Sequence, residues 1–235
     1  MITPLLIHPN DTSYAFPDVS LALEEPNGLL AVGGDLSPER LLSAYRQGIF
    51  PWFNPGEPIL WWSPNPRSVL FPEKIKISRS LRKIVNRNLF TLTTDLAFDE
   101  VTRACQAPRI KQQGTWITGE MRMAYSEMHK LGHAHSVECW QNNELVGGLY
   151  GIAIGQVFFG ESMFSTASNA SKVSLVFLSE KLQQWGYQLI DCQVQSEHLD
   201  RLGAENMPRE QFCTMLKKLC NEPVASEAWK AHWTA

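Results

Sequence analysis

The apolar positions of this chain follow two rhythms. Met121, Ala124, Tyr125, Met128 and Leu131 recur at helical spacing, on one face of a predicted helix that Thr118 caps and Gly132 closes. Three strand-like segments follow at 134–140, 144–154 and 157–164, with Asn142-Asn143 and Gly155-Gln156 as hairpin turns between them. Helical patterning returns over about 170–185 as a long amphipathic helix ending at Gly186, and a short buried strand spans 188–194. The first 66 residues read differently. Pro26-Asn27-Gly28, Gly33-Gly34, Pro51, Pro55-Gly56, Pro58, Pro64 and Pro66 break them so often that only one helix fits. That helix takes Ser37 as N-cap and Pro38 at its first position, and stops at Gly48. The pattern predicts a small turn-rich N-terminal domain, 1–66, and a larger α+β domain, 67–235.

Helix, antiparallel hairpins, long helix and strand make an order that resembles the fold of the acetyl-CoA-dependent N-acetyltransferases. Those enzymes place a glycine-rich loop of Gln/Arg-x-x-Gly-x-Gly/Ala type before the long helix, to cradle the cofactor's pyrophosphate. Here the junction reads Phe164-Ser165-Thr166-Ala167-Ser168-Asn169-Ala170 and contains no glycine. The scaffold is therefore expected without the acetyl-CoA site, and no cofactor is expected in its stead.

Composition narrows the setting. Of 235 residues 44% are hydrophobic, enough for a sizeable core. The N-terminus lacks the make-up of a signal peptide, and the least polar run, 145–160, is broken by four glycines and is too short to span a bilayer. Five cysteines without a CxxC pair fit reduced thiols better than a disulfide frame, and the histidines lack metal-ligand spacing. A cytoplasmic protein without metal or membrane contact is expected. The net charge of −3 hides one local excess: six basic residues and no acidic one between 74 and 94. Arg79, Lys83 and Arg87 recur there at helical spacing, while Leu81, Ile84 and Val85 can face a core. The run reads either as a solvated helix face or as a seat for an RNA backbone.

Candidate chemistry clusters late in the chain. In Asp191-Cys192-Gln193, alternation on a strand puts Asp191 and Gln193 on one face and turns Cys192 away. The pair reads as a satisfied polar contact or as a carboxylate and amide that orient an amine; Cys192, with no His/Asn arrangement around it, reads as an inert thiol. Glu161 interrupts an apolar strand, which calls for an ion-pair partner or for solvation in a cleft that binds a cation. Trp52 and Trp116, two of eight tryptophans, read as core or as platforms for an unpaired base.

Longer strings then converge. Pro26 to Pro38, Gly48-Ile49-Phe50-Pro51-Trp52-Phe53, Leu60-Trp61-Trp62-Ser63-Pro64, Gly114-Thr115-Trp116-Ile117, Gly160-Glu161-Ser162-Met163-Phe164-Ser165 and Leu189-Ile190-Asp191-Cys192-Gln193 resemble, in order, the leucyl/phenylalanyl-tRNA–protein transferases. One departure is Arg201 before Leu202-Gly203-Ala204, where relatives often carry Ser; it is expected to affect a surface contact. The resemblance implies a GNAT-type C-terminal domain that transfers Leu or Phe, and Met more weakly, from aminoacyl-tRNA to proteins beginning with Arg or Lys, marking them for degradation. Trp52 and Trp116 would hold the terminal adenosine, and Glu161, Asp191 and Gln193 would form the centre. Leu149, Phe158, Met163, Ser165, Leu175, Leu178, Leu182 and Ile190 would line the aminoacyl pocket, and Arg79, Arg82, Lys83 and Arg87 would take phosphates. A monomer is expected. The alternatives are an acetyl-CoA-dependent N-acetyltransferase, which the missing glycine loop disfavours, and a tRNA-binding protein without catalysis.

Overall fold

The computed structural model describes residues 3–107 and 117–230. Its first part is a four-stranded sheet that the sequence pattern does not announce. Strands β1 (Leu5–Ile7), β2 (Leu29–Gly33), β3 (Phe50–Pro51) and β4 (Leu60–Trp62) stand in the order β1-β2-β4-β3. None is longer than five residues, too short for alternation to register against so many turns. The predicted helix is present as α1 (Pro38–Arg46). Ser37 occupies its N-cap without a side-chain cap bond, and the Ser37 N–H instead donates to Asp35 Oδ1 at 2.8 Å.

The second part comprises β5 (Arg67–Leu70), α2 (Arg79–Val85), β6 (Thr91–Thr94), α3 (Phe98–Gln106), α4 (Gly119–Lys130), β7 (Ala134–Gln141), β8 (Glu144–Ile154) and β9 (Val157–Ser165). After these come α5 (Ala170–Gln184), β10 (Leu189–Gln193), α6 (Glu197–Asp200), β11 (Glu205–Met207) and α7 (Arg209–Leu219). The order β11-β5-β10-β9-β8-β7-β6 gives a seven-stranded sheet in which β9 and β10 are parallel, joined by α5, and every other pair is antiparallel. The chain is thus α+β, and it has the element order on which the acyltransferase expectation rests.

Local signals behave as the sequence predicts at most boundaries. Thr118 Oγ1 accepts from the Met121 N–H at 3.1 Å and caps α4. Asn142 and Asn143 both take left-handed φ, 52° and 63°, as a two-residue hairpin turn requires. Two expectations need correction. Leu131 ends α4 on the surface, beyond the buried face of Met121, Tyr125 and Met128. Helix α5 is not amphipathic: ten of its fifteen residues are buried, because β7, β8 and β9 cover one side while α2 and the turn at Pro72–Lys74 cover the other.

The sheet separates two cores. One, with Leu175, Leu178, Leu182, Phe158 and Ile190, lies on the α5 side. The other, with Tyr45, Tyr125, Tyr150, Phe159 and Phe212, lies on the side of α1, α3, α4 and α7 and continues into the first sheet through Trp61 and Ala31.

Candidate active site

Glu161 owes its position to a β-bulge. Tyr150 pairs with Ser162 and Gly151 with Gly160, so Glu161 is the extra residue on β9. Side-chain parity switches across it: Phe158 packs toward α5 and Phe159 away, whereas further on Met163 packs toward α5 and Phe164 away. The extra residue turns its carboxylate into a nest of donors. The Tyr45 hydroxyl donates to Oε1 at 2.6 Å, the Tyr125 hydroxyl donates to Oε2 at 2.6 Å, and Gln193 Nε2 donates to Oε1 at 3.1 Å. The two phenol oxygens lie 2.7 Å apart. Burial pushes the Glu161 carboxyl up to about 7, with the two phenolic bonds pulling the other way. Burial likewise raises both phenols well above their ordinary value, so they remain donors.

Asp191, fully buried on β10, is held by a residue that sequence reasoning missed. Arg67 of β5 donates from Nε to Oδ1 at 2.8 Å and from Nη2 to Oδ2 at 2.6 Å. Its Nη1 donates to the Gly48 carbonyl at 3.1 Å, and its guanidinium lies between the rings of Phe50 and Phe212, 4.7 and 4.8 Å from their centroids. Removing either partner would strand a buried charge, at a cost of about 3–5 kcal/mol.

Gln193 does not share a face with Asp191 by simple alternation, as the sequence implied. The register shifts between the two, and Gln193 takes a left-handed φ of 63°. This kink lets the Gln193 N–H donate to Asp191 Oδ1 at 2.9 Å while its side-chain amide reaches Glu161. Glu161, Asp191 and Gln193 are therefore brought together, in one network with Arg67, Tyr45 and Tyr125. Cys192 faces the other way, and burial raises its thiol so that it stays protonated.

The network opens onto a cleft of about 1040 Å³. Leu149, Phe158, Met163, Leu175, Leu178 and Ile190 form its apolar wall, and Ser165 lies on its lip. Leu182, expected on this wall, is instead fully buried in the α5 core, one turn beyond Leu178. Trp52 lines the cleft from the loop after β3, 42% exposed, with its ring centroid 5.8 Å from that of Trp62. Trp116 lies outside the described residues. Arg79, Arg82 and Lys83 are exposed on α2 while Leu81 is buried; the helix ends at Val85, so Arg87 stands exposed in the turn that follows. None of these four basic residues lines the cleft. Arg201 is a surface residue that pairs with Glu197 at 3.0 Å.

At the N-terminus of α5 the Ser171 N–H donates to Ser165 Oγ and the Ala170 N–H to the Ala167 carbonyl. These amides are engaged within the turn. Among the described residues no group of three His, Cys, Asp or Glu side chains stands ready to hold a metal, and no helix is long and apolar enough to cross a membrane.

Fold and site together present a buried polar network on an α+β sheet beside an apolar cleft. Family profiles described as leucyl/phenylalanyl-tRNA protein transferase and its N-terminal domain match residues 69–217 and 34–65. A leucyl/phenylalanyl-tRNA–protein transferase of Nitrosomonas eutropha is 59% identical over 219 residues, 93% of this chain and 94% of its own. One of Cellvibrio japonicus is 56% identical over 221 residues, 94% of this chain and 93% of its own. Among solved structures, a GCN5-related N-acetyltransferase from Kribbella flavida overlaps 73% of this chain and 61% of its own, at 10% identity and a TM-score of 0.37. At that TM-score nothing further rests on the overlap. The chain belongs to the leucyl/phenylalanyl-tRNA–protein transferase family and is an aminoacyltransferase, with aminoacyl-tRNA and a protein acceptor as its substrates.

Proposed function

We propose that this enzyme transfers Leu or Phe, and Met more weakly, to proteins beginning with Arg or Lys, acting as a cytoplasmic monomer that marks its acceptors for degradation. We assign residues 1–66 to the N-terminal domain and the remainder to the catalytic one. The observation that carries the reading is the Glu161–Gln193 network opening directly onto an apolar cleft. A cleft of about 1040 Å³ is large enough for an aminoacyl group together with its terminal nucleoside.

The ester is already activated, so catalysis is chiefly alignment. An α-amino group titrates near pH ~7.7–8.0, so part of it is neutral when it meets the ester. The amine nitrogen bonds to the ester carbonyl carbon, the bond from that carbon to the ribose oxygen breaks, and a proton from nitrogen ends on the departing hydroxyl. Gln193 accepts a hydrogen bond from the amine through its amide oxygen while its Nε2 is held by Glu161. Asp191, with both oxygens engaged by Arg67, acts by holding Gln193. Glu161, poised near 7, supplies the field that favours the cationic acceptor and can share its proton. The apolar wall takes the Leu or Phe side chain, Trp52 stacks the adenosine, and Arg79, Arg82, Lys83 and Arg87 meet backbone phosphates.

The test mixes protein with Leu-tRNA labelled in the amino acid and two peptides, one starting with Arg and one with Ala. Label on the Arg peptide alone is expected. Label on neither, with the ester intact, would refute the assignment.

A further inference from the structure

Four glycines fall within β8 and β9, and the protein itself explains three of them. A Cβ on Gly147 would meet Ala170 Cβ at 2.5 Å, one on Gly148 the Val137 carbonyl oxygen at 2.7 Å, and one on Gly151 the Phe159 carbonyl oxygen at 2.2 Å. Gly160 is different. Its φ is not left-handed, and the nearest atom to a Cβ there is the Asp191 carbonyl oxygen at 3.5 Å, an ordinary contact. Neither backbone conformation nor packing calls for glycine, and in a strand interior glycine costs stability. What remains is its location: half-buried, on the cleft lining.

Its neighbours say what passes there. Gly160 lies on β9 between Phe158, part of the apolar wall, and Glu161, part of the polar centre. Across the sheet it adjoins β10 at Asp191. Resting on the reading that the cleft takes the aminoacyl end of the RNA, the atoms spanning these two regions are those joining the side chain to the reacting carbonyl. We propose that Gly160 is a substrate-positioning residue that gives clearance to the α-carbon and ester carbonyl of the aminoacyl group, atoms that every aminoacyl substrate shares. The lost stability of a strand glycine is the counterpart of that clearance.

A methyl group at Gly160 would leave the fold and the RNA-binding surface untouched while displacing the ester from Gln193. The experiment compares Gly160→Ala and Gly151→Ala with wild type in melting temperature, in affinity for uncharged tRNA, and in transfer of Leu and Phe to an Arg peptide. Gly160→Ala is expected to melt at or above the wild-type temperature and to bind uncharged tRNA normally. Its kcat should fall about ten- to a hundredfold for both amino acids, the scale of one methylene in a specificity pocket. Gly151→Ala should melt lower. Wild-type transfer beside a Gly160→Ala kcat within twofold of it, a loss confined to one amino acid, or a Gly160→Ala melting point as low as that of Gly151→Ala would each overturn the proposal alone. Wild-type protein that transfers neither amino acid would overturn the functional reading and this proposal with it.

Discussion

Glu161 is a buried carboxyl whose partners are phenols and an amide rather than a cation. Its lift from 4.5 to about 7 means that the folded chain holds this proton more tightly than the unfolded chain does. Below pH 4.5 both states are protonated there. Between 4.5 and about 7 folding takes up a proton, so stability falls as pH rises through that window, and above it the loss is complete. The whole effect is about 3 kcal/mol. Urea titrations of wild type and Glu161→Gln at a series of pH values should show a wild-type advantage that shrinks across the window and then levels. A difference independent of pH would mean that Glu161 binds no proton there. Glu161, Asp191 and Gln193 were legible in the sequence because each is a polar residue within an apolar strand. Arg67, Tyr45 and Tyr125 were not. They come from β5, α1 and α4, and only tertiary folding puts them on the same two carboxylates.

Among the elements, the irregular ones position the candidate centre. The bulge at Glu161 and the left-handed turn at Gln193 both depart from strand alternation, and alternation was the rule from which the sequence placed these side chains. The regular elements from α4 to β10 were therefore read almost to the residue, whereas β5, β6, α3, α6, β11 and α7 went unread and the two kinks at Glu161 and Gln193 had no signature. Helix α5 was found but its surroundings were not, because a buried helix and an amphipathic one differ only in what packs on the far face. The turn at Gln193 allows backbone and side chain to be tested apart. Gln193→Gly relieves a left-handed φ worth about 1–2 kcal/mol and gives up one hydrogen bond of about 1 kcal/mol. Its unfolding free energy should stay within about 1 kcal/mol of wild type, while kcat falls at least tenfold. Near-normal turnover at saturating substrates would remove Gln193 from the mechanism.

At the scale of the molecule, the basic run from Lys74 to Arg87 lies on the surface, away from the cleft lining. If it meets phosphates, the logarithm of tRNA affinity should fall with the logarithm of salt concentration. Replacing Arg79, Arg82, Lys83 or Arg87 by Gln should flatten that slope by about 0.7–0.9 for each lost contact. Filter binding over a range of KCl concentrations measures it, and unchanged slopes in all four variants would leave α2 a solvated face. The α+β class was legible from the order of elements between α4 and β10, but three of the seven strands of the larger sheet, β5, β6 and β11, were not. The first sheet was hidden because strands of two to five residues between prolines carry no period.

Tyr45, the Gly48 carbonyl and Phe50 come from the first fifty residues, yet they touch Glu161 and Arg67 on the larger sheet. A chain that has folded only its seven-stranded sheet lacks a donor to one carboxylate and the outer support of the other's arginine. If Glu161, Asp191 and Gln193 form the reacting centre, competence and closure of the two sheets are a single event. On that assignment, a water-labile ester arriving at a half-assembled molecule would find no working centre, and one arriving later a centre that is complete.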